Sequence, residues 1–322
     1  MLLYVDDILI IGHDLKQIEA IKSRLSKEFR MTDSKEVSYF LGMKIRRNID
    51  RRIMRISQRR YLETLLERFN MADCKPISVP MECRLRLQKG EDSQRTSKPY
   101  RELVGCLMYA TLTTRPDLFA AVNYCSQFQS CPTDEHWAHL KRILRYVKGS
   151  LDIGLKFEAD DEAPVLSVFC DADWANNVVD RRSVTGYILK VFGCTAVWGT
   201  KKQQSVSLSS TEAELVALCA SVCEGLWLKR LMKELGYEID TIPYFEDNQS
   251  TIRIVREPKA RSRLKHIDVK YQFVCDLVQQ GHIELRYVST VQQEADIMTK
   301  GLPAAQFRRL REKLNVTSIE QG

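Results

Sequence analysis

Four carboxylates in the second half of this 322-residue chain sit where solvated acids seldom do. Asp171 ends the apolar run VLSVFC, and Asp247 follows IPYF and Glu246. Glu214 lies in the first turns of a long amphipathic segment beside Leu215 and Leu218, and Asp296 lies early in a last helical segment beyond HIELRYV. Carboxylates belong mostly on wet surfaces, because burying an unpaired charge is costly. At strand ends and helix starts along one edge of an α/β sheet, four of them can converge. Like charges at short range raise each other's pKa, so such a set ionises fully only around cations. Oxygen ligands with no His or Cys cluster nearby select Mg²⁺ or Mn²⁺ over zinc. Two such ions about 3.5–4 Å apart would activate water and stabilise the leaving oxygen of an in-line phosphodiester displacement. The competing reading is a scatter of helix caps and surface acids. A second acidic feature, Asp6 and Asp7 in MLLYVDDILIIGHD, lies between apolar runs in what reads as a buried hairpin.

The elements that must position these groups follow from periodicity. Asp14 can cap a helix with Leu15, Ile18, Ile21, Leu25 and Phe29 on one stripe. VSYFLGMKIRRNIDRRIMRIS reads as two strands joined around Asn48 to Asp50, rimmed by Arg46, Arg47, Arg51, Arg52 and Arg55. QRRYLETLLERFN returns to a helical period and ends at the proline-bearing CKPISVP; the polar LQKGEDSQRTSKP is a loop. The helical segments YRELVGCLMYATLT and DEHWAHLKRILRYVKG follow. Beyond the acidic EADDEAP stretch at 158–164, three strand segments (VLSVFCDADWA, SVTGYILKVFGC, TAVWGTKKQ) are spaced for an antiparallel meander. A long helix started by Ser209, Ser210 and Thr211 and stopped at Gly236 comes next. Strand IPYFED, a short helix, helix HIDVKYQFVCDLVQQG, strand HIELRYV and helix QEADIMTKGL complete a mixed α/β pattern.

Composition narrows the class. Hydrophobic residues make up 44% and charged residues 28%, and no apolar run approaches the roughly 20 residues of a bilayer span, so no membrane partner is expected. No basic n-region or cleavage site marks a secretory signal, which points to a reducing, intracellular compartment, cytoplasmic or nuclear. The 10 cysteines are scattered; Cys219 and Cys223 lack two further ligands for a zinc site and read as small buried apolar residues. The net charge is +7, and residues 1–160 hold all the excess, 28 Lys and Arg against 21 Asp and Glu, where residues 161–322 balance at 21 each. That asymmetry suits a polyanion partner, or solubility alone.

The blocks FCDADWA, RRSVTGY, KKQQSVSLSSTEAEL, EDNQS, RLKHIDVKY and QEADIMTKGLP, in this order, resemble the ribonuclease H domain of copia-type long-terminal-repeat retrotransposon polyproteins. LLYVDD, FLGMKI, YLETLLERFNM, VGCLMYATLTTRPDL and LKRILRYVKG resemble the C-terminal part of the adjoining reverse transcriptase. The resemblance implies an α/β and α+β fold: a partial reverse-transcriptase palm and thumb over 1–157, a ribonuclease H-like mixed β-sheet flanked by helices over 163–303, and a C-terminal tail over 304–322. It assigns catalysis and metal binding to Asp171, Glu214, Asp247 and Asp296, with Mg²⁺ as cofactor and Mn²⁺ as substitute. Glu212 and Glu214 stand about 200° apart on a helix, so only one can face the site, and the resemblance selects Glu214. Asp173 is expected to face away from Asp171 if the strand continues that far. Some ribonucleases H carry a histidine in the loop before the last aspartate; VSTVQQE has none, and His266 reads as structural or phosphate-contacting. Lys201, Lys202, Arg261, Arg263 and Lys265 are candidates for the backbone of an RNA–DNA hybrid, the expected nucleic-acid partner.

In the polymerase half, Asp6 and Asp7 correspond to one metal-binding strand of a polymerase site, a remnant whose partner strand and fingers would lie before Met1. Polymerisation by this chain alone is therefore not expected. Exposed apolar edges of the first half would invite aggregation or pairing with another chain, the missing N-terminal polymerase part being one candidate. The leading expectation is an enzyme, an RNA–DNA hybrid endoribonuclease. The alternatives are an inactive relic or co-opted nucleic-acid-binding protein, and a reading frame in which Met1 is internal to a longer polyprotein.

Overall fold

The computed structural model describes residues 1–175, 180–257 and 268–319. The chain divides into two compact units, Met1–Phe40 and Leu41–Gly322. In the first, β1 (Leu2–Tyr4) and β2 (Asp7–Leu9) form an antiparallel hairpin with Tyr4 opposite Asp7. Helix α1 (Leu15–Glu28) follows, its first turn capped by the Asp14 carboxylate, which accepts the Lys16 and Gln17 amides. β3 (Tyr39–Phe40) ends the unit. The hairpin read as buried is not: Leu2, Leu3, Tyr4, Val5, Asp6 and Asp7 are exposed. Two three-residue strands make no face broad enough to cover, and α1 buries none of its residues.

The second unit begins with the arginine-rimmed hairpin of β4 (Met43–Asn48) and β5 (Ile53–Ser57), and α2 (Arg59–Arg68) follows it. Helices α3 (Tyr100–Thr113), α4 (Phe119–Ser126) and α5 (Asp134–Lys148) come next. β6 (Ile153–Glu158) leads to the meander of β7 (Leu166–Asp173), β8 (Val184–Val191) and β9 (Cys194–Lys202). The long α6 (Ser210–Glu234), β10 (Ile242–Glu246), α7 (Gln249–Arg256), α8 (Asp268–Gln279) and β11 (Ile283–Tyr287) follow. The short α9 (Asp296–Thr299), α10 (Ala304–Lys313) and β12 (Val316–Ser318) close the chain.

One sheet runs β11-β10-β7-β8-β9, with β7 antiparallel to β8 and parallel to β10, and β10 parallel to β11. The fold is mixed α/β, as the pattern predicts. β6 pairs antiparallel with both β5 and β12, so the C-terminal residues complete a sheet begun by residues 43–57. One apolar cluster joins Leu62, Leu107 and Leu144 to Met298, Phe307 and Leu314, so residues on either side of the acidic 158–164 stretch share a core. A second cluster packs Leu166 and Val168 of β7 against Leu215 and Val222 of α6, with Tyr244 and Ile283. Inside the first lies a polar knot. The fully buried Arg115 guanidinium donates to both oxygens of Asp117 (2.9 and 2.8 Å) and to the Ser150 carbonyl and hydroxyl. The Tyr146 hydroxyl donates to Asp117 at 2.7 Å and accepts from Arg311 at 3.3 Å.

Candidate metal centre

Register puts the carboxylates on one sheet edge. β7 and β10 run parallel with Phe169 beside Phe245, so the residues just past β10 come level with the end of β7, and Asp247 meets Asp171. α6 begins at the same edge. Ser209 caps it by accepting the Glu212 amide, and the Glu212 carboxylate turns back to accept the Leu208 amide at 2.7 Å. With Glu212 engaged at the cap, Glu214 projects inward. Among the described residues, ligand oxygens of Asp171, Glu214 and Asp247 all lie within 4.8 Å of one another. Asp171 is 2% exposed and Glu214 6%.

Asp296 reaches the centre differently. Gly186 stands opposite Asp171 in the β7–β8 ladder, and a Cβ there would lie 2.6 Å from Thr299 and 2.7 Å from Met298. Only a residue without a side chain lets α9 lie this close to β8. Asp296, buried at the start of α9, is linked to Asp171 through Lys300, whose Nζ lies 2.8 Å from Asp296 and 3.4 Å from Asp171. The Thr299 hydroxyl donates to Asp171, Gln306 Nε2 to Asp296 at 3.3 Å, and the Thr290 hydroxyl to Asp247 at 2.7 Å.

Burial and mutual repulsion dominate the electrostatics. Burial, then Asp171, Glu246 and Asp247, pushes the Glu214 carboxyl well above its ordinary range. Its Oε2 finds no hydrogen-bond partner among the described residues. Burial and then Asp171 raise Asp296 to about 7, against the pull of Lys300; Asp247 is raised chiefly by burial, with Thr290 working the other way. Burial opposes the Lys300 ammonium, but Asp171 and Asp296 outweigh it and hold its pKa above the usual value. An oxygen-only cluster, with a buried carboxylate oxygen that has no hydrogen-bond partner among the described residues, fits a hard divalent cation.

The other predicted residues fall as follows. Asp173 does not face away from Asp171: β7 continues through it, and residues two apart on a strand share a face. It lines a cavity of about 350 Å³ together with Thr299 and Lys300. Lys201 is exposed at the end of β9, whereas Lys202 pairs with Asp180 at 2.8 Å and donates to Gln127. Arg261, Arg263, Lys265 and His266 lie outside the described residues, and Asp6 and Asp7 belong to the first unit. Sequence reasoning passed over Thr290, Thr299, Lys300 and Glu246. The last is fully buried, accepts the Asn248 amide at 2.9 Å, and is pushed up to about 8, above all by burial. Of these, Lys300 carried a legible signal, its spacing four residues beyond Asp296.

Fold and site together define a mixed α/β protein with a carboxylate centre suited to a hard divalent cation. Residues 1–83 match the family model described as reverse transcriptase (RNA-dependent DNA polymerase). The chain is 38% identical over 325 residues to the retrovirus-related Pol polyprotein from transposon TNT 1-94 of Nicotiana tabacum, covering 99% of this chain and 24% of that protein. The same measure for the transposon RE2 polyprotein of Arabidopsis thaliana is 38% over 322 residues, covering 99% and 22%. The chain belongs to this family of retrovirus-related Pol polyproteins from copia-like transposons, and it spans about a quarter of the length of these relatives. Among solved structures it is similar to the foamy viral protease-reverse transcriptase in complex with RNA/DNA hybrid, at 15% identity and a TM-score of 0.46, over 89% of this chain and 35% of that one.

Proposed function

We propose that this chain hydrolyses the RNA strand of an RNA–DNA hybrid at the Asp171 centre in a reaction that depends on Mg²⁺, with Mn²⁺ as a substitute. The observation that carries the reading is the convergence of Asp171, Glu214 and Asp247 within 4.8 Å, in a chain of this family, with a buried Glu214 oxygen that has no hydrogen-bond partner among the described residues. Asp171, Glu214 and Asp247 would hold one ion, and Asp171 with Asp296 the second. Bound divalent ions supply an acidified water and charge neutralisation at the scissile phosphate. The protein's own groups fix the ligands: Thr290 orients Asp247, Thr299 orients Asp171, and Gln306 steadies Asp296. Lys201 and the half-exposed ring of Trp174, its indole N–H held by the Ser207 carbonyl at 3.1 Å, offer a phosphate contact and a stacking surface. Selection of the hybrid would rest on A-form shape and 2′-hydroxyl contacts.

The test is cleavage of a hybrid with an end-labelled RNA strand by the full chain. Mg²⁺-dependent cleavage that Asp171→Asn abolishes is expected. A folded chain that binds Mg²⁺ and leaves the RNA intact overturns the proposal. Salt-sensitive hybrid binding without cleavage would then identify a nucleic-acid-binding relic.

A further inference from the structure

The four acids do not form one symmetric cluster. Asp171, Glu214 and Asp247 face one another, while Asp296 is met by a cation the chain itself supplies. Lys300 Nζ lies 2.8 Å from Asp296 Oδ1 and 3.4 Å from Asp171 Oδ2, between two carboxylates that a second divalent ion would bridge. Lys300 is the capping residue just past α9, in extended backbone, four residues beyond Asp296. We propose that Lys300 is a built-in counter-ion: it fills the second cation position in the metal-free protein, holds Asp296 in place there, and is displaced when a second divalent ion enters.

Three observations bear on this. An ion of the Mg²⁺ class takes oxygen ligands at about 2.0–2.1 Å. An ammonium at the distances seen here therefore cannot remain beside an ion that Asp171 and Asp296 both ligate, because two cations would share one gap. The lysine also has somewhere to go. Its side chain is 31% exposed and borders the cavity of about 350 Å³, whose wall includes Arg84, Asn123, Gln127 and Asp173. Asp173 there acts favourably on the ammonium, so a swing of the four-carbon stem keeps the charge near an acid. Finally, Asp296 keeps a second anchor when the lysine leaves, through Gln306 at 3.3 Å. Two unequal binding steps follow: a first ion at the Asp171, Glu214 and Asp247 oxygens, and a weaker second one that must compete with Lys300.

The inference rests on the nuclease reading for the use of two ions, but its test needs no nucleic acid. Calorimetric titration of the full chain with Mn²⁺ is expected to show one stronger and one weaker step. Lys300→Met is expected to tighten the weaker step about tenfold or more by removing the competing charge, and Lys300→Arg to leave it weak. The wild-type chain gives an independent measurement that does not depend on a variant folding. Labelling of Lys300 by an amine-reactive reagent, read by mass spectrometry, should accelerate as the second ion binds and stay slow with the first. Labelling that ignores metal, or a folded Lys300→Met whose second step is unchanged or weaker, overturns the counter-ion role. Either result would leave hybrid cleavage by the wild type standing, whereas absent cleavage with both expected signatures would overturn only the nuclease reading.

Discussion

Glu246 shows how strongly burial, aided by the neighbouring Asp247 and Asp171, can set a charge in this protein. It is fully buried beside Cys170, whose thiol lies 3.5 Å from its Oε2, and its carboxyl is pushed up to about 8. The unfolded chain returns it to about 4.3. Because the folded value is the higher one, the contribution of this group to stability is fully present below the unfolded pKa and is lost as pH rises through about 8. Glu246→Gln keeps the shape and removes the titration. In EDTA, the variant should melt at or slightly below the wild type at pH 5.5 and several degrees above it at pH 9. Thermal melts across that range check this, and a constant difference at every pH would refute it. The same burial is the first cause that raises Glu214 and Asp296. Their acidity was legible in the sequence as acids beside apolar runs, but the split into a triad and a lysine-held fourth member was not. That split depends on how close α9 comes to β8, a distance no local pattern encodes.

The approach of α9 is the element-scale step that assembles the site. Gly186 faces Asp171 across the ladder, and the space its Cβ would need is taken by Thr299 and Met298. Gly186→Ala should cost about 1–3 kcal/mol of stability through overpacking, and should also lower hybrid cleavage by shifting Thr299, Lys300 and Asp296 together. Gly105→Ala is the control, since nothing lies within 4 Å of its Cβ inside α3; it should stabilise by about 0.5–1 kcal/mol and leave cleavage unchanged. Denaturant titration and cleavage rates read both. At this scale the sequence was informative: the β7–β8–β9 meander, the capped start of α6 and the strand–helix alternation after it all followed from periodicity and caps. Two readings failed for identifiable reasons. Asp173 shares the face of Asp171 because a two-residue spacing on a strand keeps it there, and β1 and β2 are exposed because two three-residue strands are too narrow to bury their apolar residues.

Across the second unit, the question is whether the polymerase-like and nuclease-like segments fold separately. The core argues against it. Leu62, Leu107 and Leu144 share one cluster with Met298, Phe307 and Leu314, and β12 completes the sheet of β4 to β6. The polar knot ties the same parts: Arg115 and Asp117 sit between α3 and α4, Tyr146 is on α5, and Arg311 reaches Tyr146 from α10. Arg115 and Asp117 are both fully buried, so removing one leaves the other as an uncompensated charge. Asp117→Ala should therefore destabilise by about 3–5 kcal/mol, and the paired Arg115→Met/Asp117→Leu should recover most of that loss. If the unit is one cooperative body, Trp137 on α5 and Trp227 on α6 should report the same denaturation midpoint in the wild type, and Asp117→Ala should lower both together. Single-tryptophan variants followed by fluorescence would resolve this. Two midpoints, with only the Trp137 transition moved by Asp117→Ala, would show instead that the shared core does not couple the segments and that the nuclease-like part stands alone.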